Sequence, residues 1–180
     1  KYWVKEFGID GYRCDVASMV PVEFWNQARK ALDEIKPVFM LAESHEPVLH
    51  EAAFDMTYNW QFKDFANNVA KGKKTAQDFV DFLEYEVTKY PEDAYRMAFI
   101  TNHDENTWDG HVFERLGDAA EVFSVLMCAV EGMPLVYSGQ EAGMDKRLEF
   151  FEKDPIVWKE HKFRSLFTTM FKLKKENRAL

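Results

Sequence analysis

The chain has little cysteine, no long apolar run and no surplus of positive charge. Two cysteines among 180 residues make no disulfide framework, and Cys14 and Cys128 read as reduced core residues. No stretch reaches the roughly 18 apolar residues that a membrane-spanning helix needs. A net charge of −8 argues against a nucleic-acid backbone as partner, which rewards a basic surface. Neither His-x-x-x-His nor Cys-x-x-Cys occurs, so no zinc centre is expected. No Gly-rich loop follows the first strand-like run, as a nucleotide-binding open sheet would normally require. The N-terminus, Lys1-Tyr2-Trp3-Val4-Lys5-Glu6, is charged and amphipathic, unlike a signal peptide. It also lacks an initiator Met, so the chain is expected to be cut from something longer, and both export and cytoplasmic residence stay open.

What is present is a core-rich chain, 47% hydrophobic with 16 Phe, in which short apolar runs alternate with amphipathic stretches. That alternation predicts parallel strands joined by crossover helices. Strands are expected at Ile9 to Val16, Val38 to Ala42, Phe54 to Tyr58, Tyr95 to Thr101 and Pro134 to Tyr137. Helices are expected from Pro21 to about Lys36, across 61–90 with a break at Gly72, over Ala119 to Val130, and over Lys162 to Glu176. Thr75 with Asp78 resembles a capping box, and Phe79, Phe82, Leu83 and Val87 form the apolar stripe behind it. Five strands in one domain-length chain fit part of a (β/α)8 barrel or an open sheet; a complete barrel needs eight strands and about 250 residues.

Three acids stand at the ends of apolar runs: Asp15 in Gly11-Tyr12-Arg13-Cys14-Asp15, Glu43 in Phe39-Met40-Leu41-Ala42-Glu43, and Asp104 in Phe99-Ile100-Thr101-Asn102-His103-Asp104. A carboxylate at the C-terminal end of a barrel strand points into the barrel's mouth, where such folds do their chemistry. Three of them suit cleavage of a glycosidic bond, which takes one nucleophile and one general acid.

Those segments resemble the α-amylase family of glycoside hydrolases (glycoside hydrolase family 13). Gly11 to Ala17 is similar to the family's fourth-strand motif, Leu41-Ala42-Glu43 to its fifth, and Phe99 to Asp104 to its seventh. Gly132 to Glu141 is similar to the eighth-strand segment, and Lys172 to Leu180 to the last barrel helix before the C-terminal β domain. The resemblance implies an α/β fold: residues 1–180 as the C-terminal portion of the catalytic (β/α)8 TIM barrel, roughly strands four to eight, lacking the first three strands and the β domain. It implies Asp15 as nucleophile, Glu43 as general acid/base and Asp104 as transition-state stabiliser. Arg13, His103 and Asn102 would be substrate-binding neighbours.

Around these, Tyr58, Trp60 and Trp108 are read as lying in loops after strands, where aromatic faces can stack on sugars. His45 follows Glu43 closely enough to line the cleft. Glu105 and Asp109 read as solvated loop charges, and Glu141 as a structural hydrogen-bonding group. Ser18 and Met19 occupy the places where many starch-cleaving members carry Lys-His, which leaves the leaving-group side of the site undetermined.

The implied activity is retaining hydrolysis of α-glucosidic bonds in starch or maltodextrins. A transglycosylase or isomerase of the same family would use the same acids, and the isolated half-barrel is itself expected to be inactive, at most self-associating or weakly binding carbohydrate. The implied partner is an α-glucan or maltooligosaccharide, with no nucleic acid and no membrane. Two free strand edges predict homo-oligomers. No cofactor or metal is expected here. Many relatives hold a structural calcium, whose main ligand belongs to the absent third-strand region.

Overall fold

The computed structural model describes residues 1–180. Five strands, β1 (Gly11–Cys14), β2 (Phe39–Ala42), β3 (Met56–Asn59), β4 (Tyr95–Ala98) and β5 (Met133–Pro134), form one sheet in chain order. Seven helices accompany them: α1 (Tyr2–Phe7), α2 (Val22–Asp33), α3 (Trp60–Ala70), α4 (Ala76–Lys89), α5 (Val112–Leu116), α6 (Ala119–Ala129) and α7 (Lys162–Glu176). The β1–β2 and β2–β3 pairs are parallel. Sequential parallel strands with intervening helices make an α/β fold of the (β/α)8 barrel type, five strands of it in this chain.

The chain divides into two compact units, Lys1–Asn59 with Val80–Met97, and Trp60–Phe79 with Ala98–Leu180. In the first, Val4, Leu32, Val38, Met40, Leu49 and Phe54 form the core. Gly11 is required there because a Cβ would meet the Phe39 carbonyl oxygen at 1.9 Å, so only glycine lets β1 approach β2. In the second, Phe62, Phe99, Ile100, Met127 and Phe163 are fully enclosed. Each such side chain contributes about 1.5–3 kcal/mol on burial. Phe62 meets Phe123 of α6 edge-on at 6.2 Å, and Phe163 meets Phe167 within α7 at 5.9 Å.

The helix over Lys162–Glu176 and the break at Gly72 fall as the sequence predicts. The capping box also forms: Thr75 N–H donates to Asp78 Oδ2 at 2.7 Å, and Asp78 N–H donates back to Thr75 Oγ1 at 3.3 Å. The strands are shorter than predicted, for local reasons. β1 ends before Asp15 because Val16 turns into the left-handed region, at φ 44°. β4 stops at Ala98, and the Ile100 carbonyl accepts from the Arg115 guanidinium at 2.7 Å instead of joining a ladder. β5 is only two residues long, Pro134 having no N–H to offer. The expected stripe on α4 is rotated. Phe79 and Phe82 are half-buried, but Leu83 and Val87 are exposed. Glu86 takes the inward place one turn on, with Oε2 3.4 Å from Arg96 Nε.

Candidate active site

In the first unit the site is built on strand register. Arg13 pairs with Leu41 and Cys14 with Ala42, while Ala42 pairs with Thr57. One residue further, the same register sets Asp15, Glu43 and Tyr58 in a row across three strand ends. Alternation turns Arg13 and Asp15 to one face and Cys14 to the other. Cys14 packs against the core, where burial raises its thiol pKa.

Arg13 ties the row together. Its Nη1 lies 2.6 Å from Asp15 Oδ1 and its Nη2 2.9 Å from Glu43 Oε1. Its Nε donates to the Tyr58 hydroxyl at 3.2 Å. Partial burial works against the guanidinium charge. The bonds to Tyr58 and Asp15 outweigh it, with Glu43 adding, and raise the Arg13 pKa above its ordinary value. The Asp15 side chain is 73% exposed, whereas that of Glu43 is 13% exposed.

The turn after Asp15 is strained. Val16 is the one non-glycine residue at positive φ, a costly setting for a β-branched side chain. In that conformation its N–H donates to Glu43 Oε2 at 2.7 Å, and Ala17 N–H donates to the Glu43 carbonyl at 3.2 Å. The loop after Glu43 is pinned too: the Ser44 carbonyl accepts from Tyr58 N–H at 2.9 Å, and the His45 carbonyl accepts from the Tyr90 hydroxyl at 2.7 Å. The His45 ring is half-exposed, 3.8 Å from the Glu46 carboxylate.

In the second unit, the chain after β4 buries Thr101 and Asn102 and then brings His103 and Asp104 to the surface, His103 Nε2 lying 3.4 Å from Asp104 Oδ2. Asn102 is 1% exposed. Its Oδ1 accepts from Glu105 N–H at 2.8 Å, which starts a π-helical turn over Glu105–Asp109. Such turns recur at functional sites. Tyr137 faces this region. Burial raises the pKa of its phenol, and the Asp104 charge adds to that. Glu141 is structural, accepting from Gly139 N–H at 2.9 Å.

Three expectations need correcting. Tyr58 is not in a loop but inside β3, 4% exposed, as fits a parallel strand covered on both faces. Trp60 opens α3 and packs edge-on against Phe99 at 4.9 Å. Glu105 is not solvated: it is 7% exposed, 2.9 Å from Lys63 Nζ and 3.8 Å from Arg115 Nη1. Burial raises its pKa, opposed mainly by Lys63. The signal for Lys63 was in the sequence, since it falls within the inward stripe of α3 beside Phe62, Phe65 and Ala66. No group of three or more His, Cys, Asp or Glu side chains converges.

The family model "Alpha amylase, catalytic domain" matches residues 1–177. A cyclomaltodextrinase from Geobacillus thermopakistaniensis is 34% identical over 155 residues, 79% of this chain and 25% of that protein. A maltogenic alpha-amylase from Bacillus acidopullulyticus is 33% identical over 154 residues, 80% of this chain and 26% of that one. The chain thus spans about a quarter of the length of these relatives. Among solved structures, a noncanonic maltogenic alpha-amylase from Thermotoga neapolitana superposes with a TM-score of 0.85 at 34% identity, over 98% of this chain and 41% of the other. An alpha-amylase from Lactobacillus plantarum superposes with a TM-score of 0.84 at 28% identity, over 98% and 46%.

Proposed function

The chain belongs to the α-amylase catalytic-domain family, and from that premise we propose that it carries the carboxylate machinery of a retaining hydrolase of α-glucosidic bonds in starch-type glucans and maltodextrins. In this proposal residues 1–180 are the C-terminal portion of the catalytic barrel. The observation that carries the reading is one guanidinium shared by two carboxylates, Asp15 at 2.6 Å and Glu43 at 2.9 Å, with Asp15 open to solvent. The names of the relatives, a cyclomaltodextrinase and maltogenic amylases, support an α-glucan as substrate.

The chemistry runs in two steps. Asp15 attacks the anomeric carbon as Glu43 gives its proton to the departing oxygen, so the glycosidic bond breaks while an ester to Asp15 forms. Glu43 then takes a proton from water, whose oxygen attacks the same carbon and frees Asp15 with net retention. Arg13 holds Asp15 aimed, and the Glu43 oxygen that carries the proton gives up the hydrogen bond it accepts here, from Arg13 at Oε1 or from Val16 N–H at Oε2. Asp104 accepts hydrogen bonds from sugar hydroxyls and stabilises oxocarbenium-like charge, with His103 beside it. The reaction as proposed uses no cofactor.

One observation favours transglycosylation as a second reading. A cavity of about 330 Å³ lies between the turn after Asp15 and the turn after Glu43, bordered by Met19, Val22, Val48 and Leu49 with Ser18 and Glu46. A recess on the turns that follow Asp15 and Glu43, lined by neither acid, can seat an acceptor sugar. Self-association through free strand edges belongs to the same proposal, and a stable monomer by light scattering at tens of micromolar would overturn it.

The test is turnover of a chromogenic α-maltooligoside beside the Glu43→Gln variant, with maltose added as acceptor. Activity lost in the variant supports the assignment, and longer products on adding maltose support the second reading. Equal turnover by the variant would remove Glu43 from the mechanism.

A further inference from the structure

Next to His103, the second unit exposes three aromatic rings in mutual contact. Ring centroids are 4.8 Å apart for Phe150–Phe151, which meet edge-on at 71°, 5.4 Å for Trp108–Phe150, inclined by 37°, and 6.5 Å for Trp108–Phe151, inclined by 59°. The His103 ring continues the series, 6.0 Å from Phe150 and tilted by 32°. Trp108 is 59% exposed, Phe150 39% and Phe151 82%. Single exposed apolar residues are ordinary, but a contiguous run of large rings marks a surface that meets a ligand.

The run is also held in shape. Asn106, 1% exposed, donates from Nδ2 to the Lys146 carbonyl at 3.1 Å and accepts at Oδ1 from Leu148 N–H at 2.8 Å. Thr107 Oγ1 donates to the Leu148 carbonyl at 2.7 Å. Asp154 fixes the far side of the loop, pairing with Lys146 and accepting from Glu149 N–H at 3.1 Å. Arg147 grips Glu114 with Nε at 3.0 Å and Nη2 at 2.6 Å. Two segments distant in sequence, the π-helical turn and the loop through Phe150 and Phe151, are thus locked together by part-buried side-chain bonds from Asn106 and Thr107. Rings fixed beforehand lose little freedom when a ligand arrives.

We propose that His103, Phe150, Trp108 and Phe151 form a stacking platform for successive glucose rings of an α-glucan, running outward from the His103–Asp104 pair. A pyranose has an apolar C–H face that lies flat on an aromatic ring, while its equatorial hydroxyls reach the polar rim. Several rings in series fit a chain of linked sugars better than a single one. The acidic balance of the protein disfavours nucleic-acid bases as the stacked groups. The platform rests on the α-glucan reading of the same site and extends it: it would select longer chains.

The experiment is calorimetric titration of this chain with maltotriose and maltoheptaose, with Trp fluorescence as a second readout at Trp108. Trp108→Ala and Phe151→Ala should each weaken maltoheptaose binding roughly 2- to 12-fold while leaving maltotriose unchanged. Phe151→Trp should retain the affinity and Phe151→Leu should lose it, which separates stacking from general apolarity. Phe151 is so exposed that none of its variants threatens folding. Unchanged maltoheptaose affinity in both alanine variants would overturn the platform and leave the glucan reading standing. Absence of binding by any maltooligosaccharide would overturn both. Equal affinity for cellohexaose would overturn the α-glucan assignment. A dimer dissolved by Phe151→Ala, with glucan affinity unchanged, would identify a second copy as the occupant and overturn the platform.

Discussion

Two clusters of charge stand beyond strand ends, and they are near opposites. Around Arg13, two carboxylates share one cation, and the Arg13, Asp15 and Glu43 side chains are 31%, 73% and 13% exposed. Around Glu105, two carboxylates meet two cations: Glu105 lies 2.9 Å from Lys63 and 3.8 Å from Arg115, Asp64 lies 2.8 Å from Lys63, and the Lys63, Glu105 and Arg115 side chains are 9%, 9% and 7% exposed. The first cluster has an acid to spare and water at its door, so its charge can be spent on a ligand. The second has no surplus acid. Its charge is consumed in fixing the turn that presents His103 and Asp104, with Arg115 also reaching the Ile100 and Gly110 carbonyls at 2.7 and 2.8 Å. Ionic residues of the same kinds thus divide into chemistry and scaffolding according to stoichiometry and burial.

Substitution should split the clusters cleanly. Asp15→Asn removes the proposed nucleophile but little packing, so in the full-length protein turnover of a maltooligoside should fall on the order of 10⁴-fold. Its melting temperature should stay within a few degrees of the parent. Turnover that survives would erase the distinction. Glu105→Gln keeps the shape yet takes from two buried cations the carboxylate they share, while Asp64 still faces Lys63 and the Ile100 and Gly110 carbonyls still accept from Arg115. Denaturant unfolding should show a loss of about 1–3 kcal/mol. If Glu105→Gln proves as stable as the parent, the second cluster is not scaffolding.

Most of the first cluster was legible in the sequence. Asp15 and Glu43 end apolar runs, and a period of two puts Arg13 and Asp15 on one face. The strained turn at Val16 was not, because nothing in Asp15-Val16-Ala17 signals a left-handed β-branched residue; it exists because Glu43 captures the Val16 N–H. The second cluster was misread at Glu105. A charge following Asp104 looks like loop until Lys63, 42 residues earlier, is seen to meet it. Long-range ion pairs leave no local trace. Helix α4 shows the same limit, since Glu86 takes the inward place, with Leu83 and Val87 exposed, only because Arg96 awaits it. Tyr58 was read as a loop residue because Phe54 to Tyr58 ends in a weak strand pattern, and the added Asn59 moves it inside.

A third cluster sharpens the contrast through pH. His50 Nε2 lies 2.8 Å from Thr57 Oγ1, which accepts from Arg96 Nη1 at 2.7 Å. Burial first, and then the Arg96 charge, lower the His50 pKa from 6.5 to about 4. Asp93 and Asp55 pull weakly the other way. The folded state therefore resists a proton that the unfolded chain accepts, and its stability is full above pH 6.5. It should fall by up to about 3 kcal/mol as pH drops toward 4. His50→Gln should flatten that part of the profile relative to the parent. Parallel profiles for the two proteins would place the acid sensitivity elsewhere.

The smallest predicted effect joins a buried ring to an exposed charge. Tyr58 is enclosed within β3, yet its hydroxyl accepts from Arg13 Nε, and its ring lies 5.7 Å from the guanidinium carbon. Tyr58→Phe keeps the ring and removes only the acceptor. By the ordinary worth of such a bond, stability should change by about 1 kcal/mol. Catalysis should suffer more in kcat than in KM, on the order of tenfold, because a guanidinium free to turn about Nε no longer holds Asp15 and Glu43 at fixed positions when the covalent bond forms. A variant with altered stability and intact kcat would make Tyr58 mere packing. It would also mean that the exposed cluster keeps its aim without help from the interior.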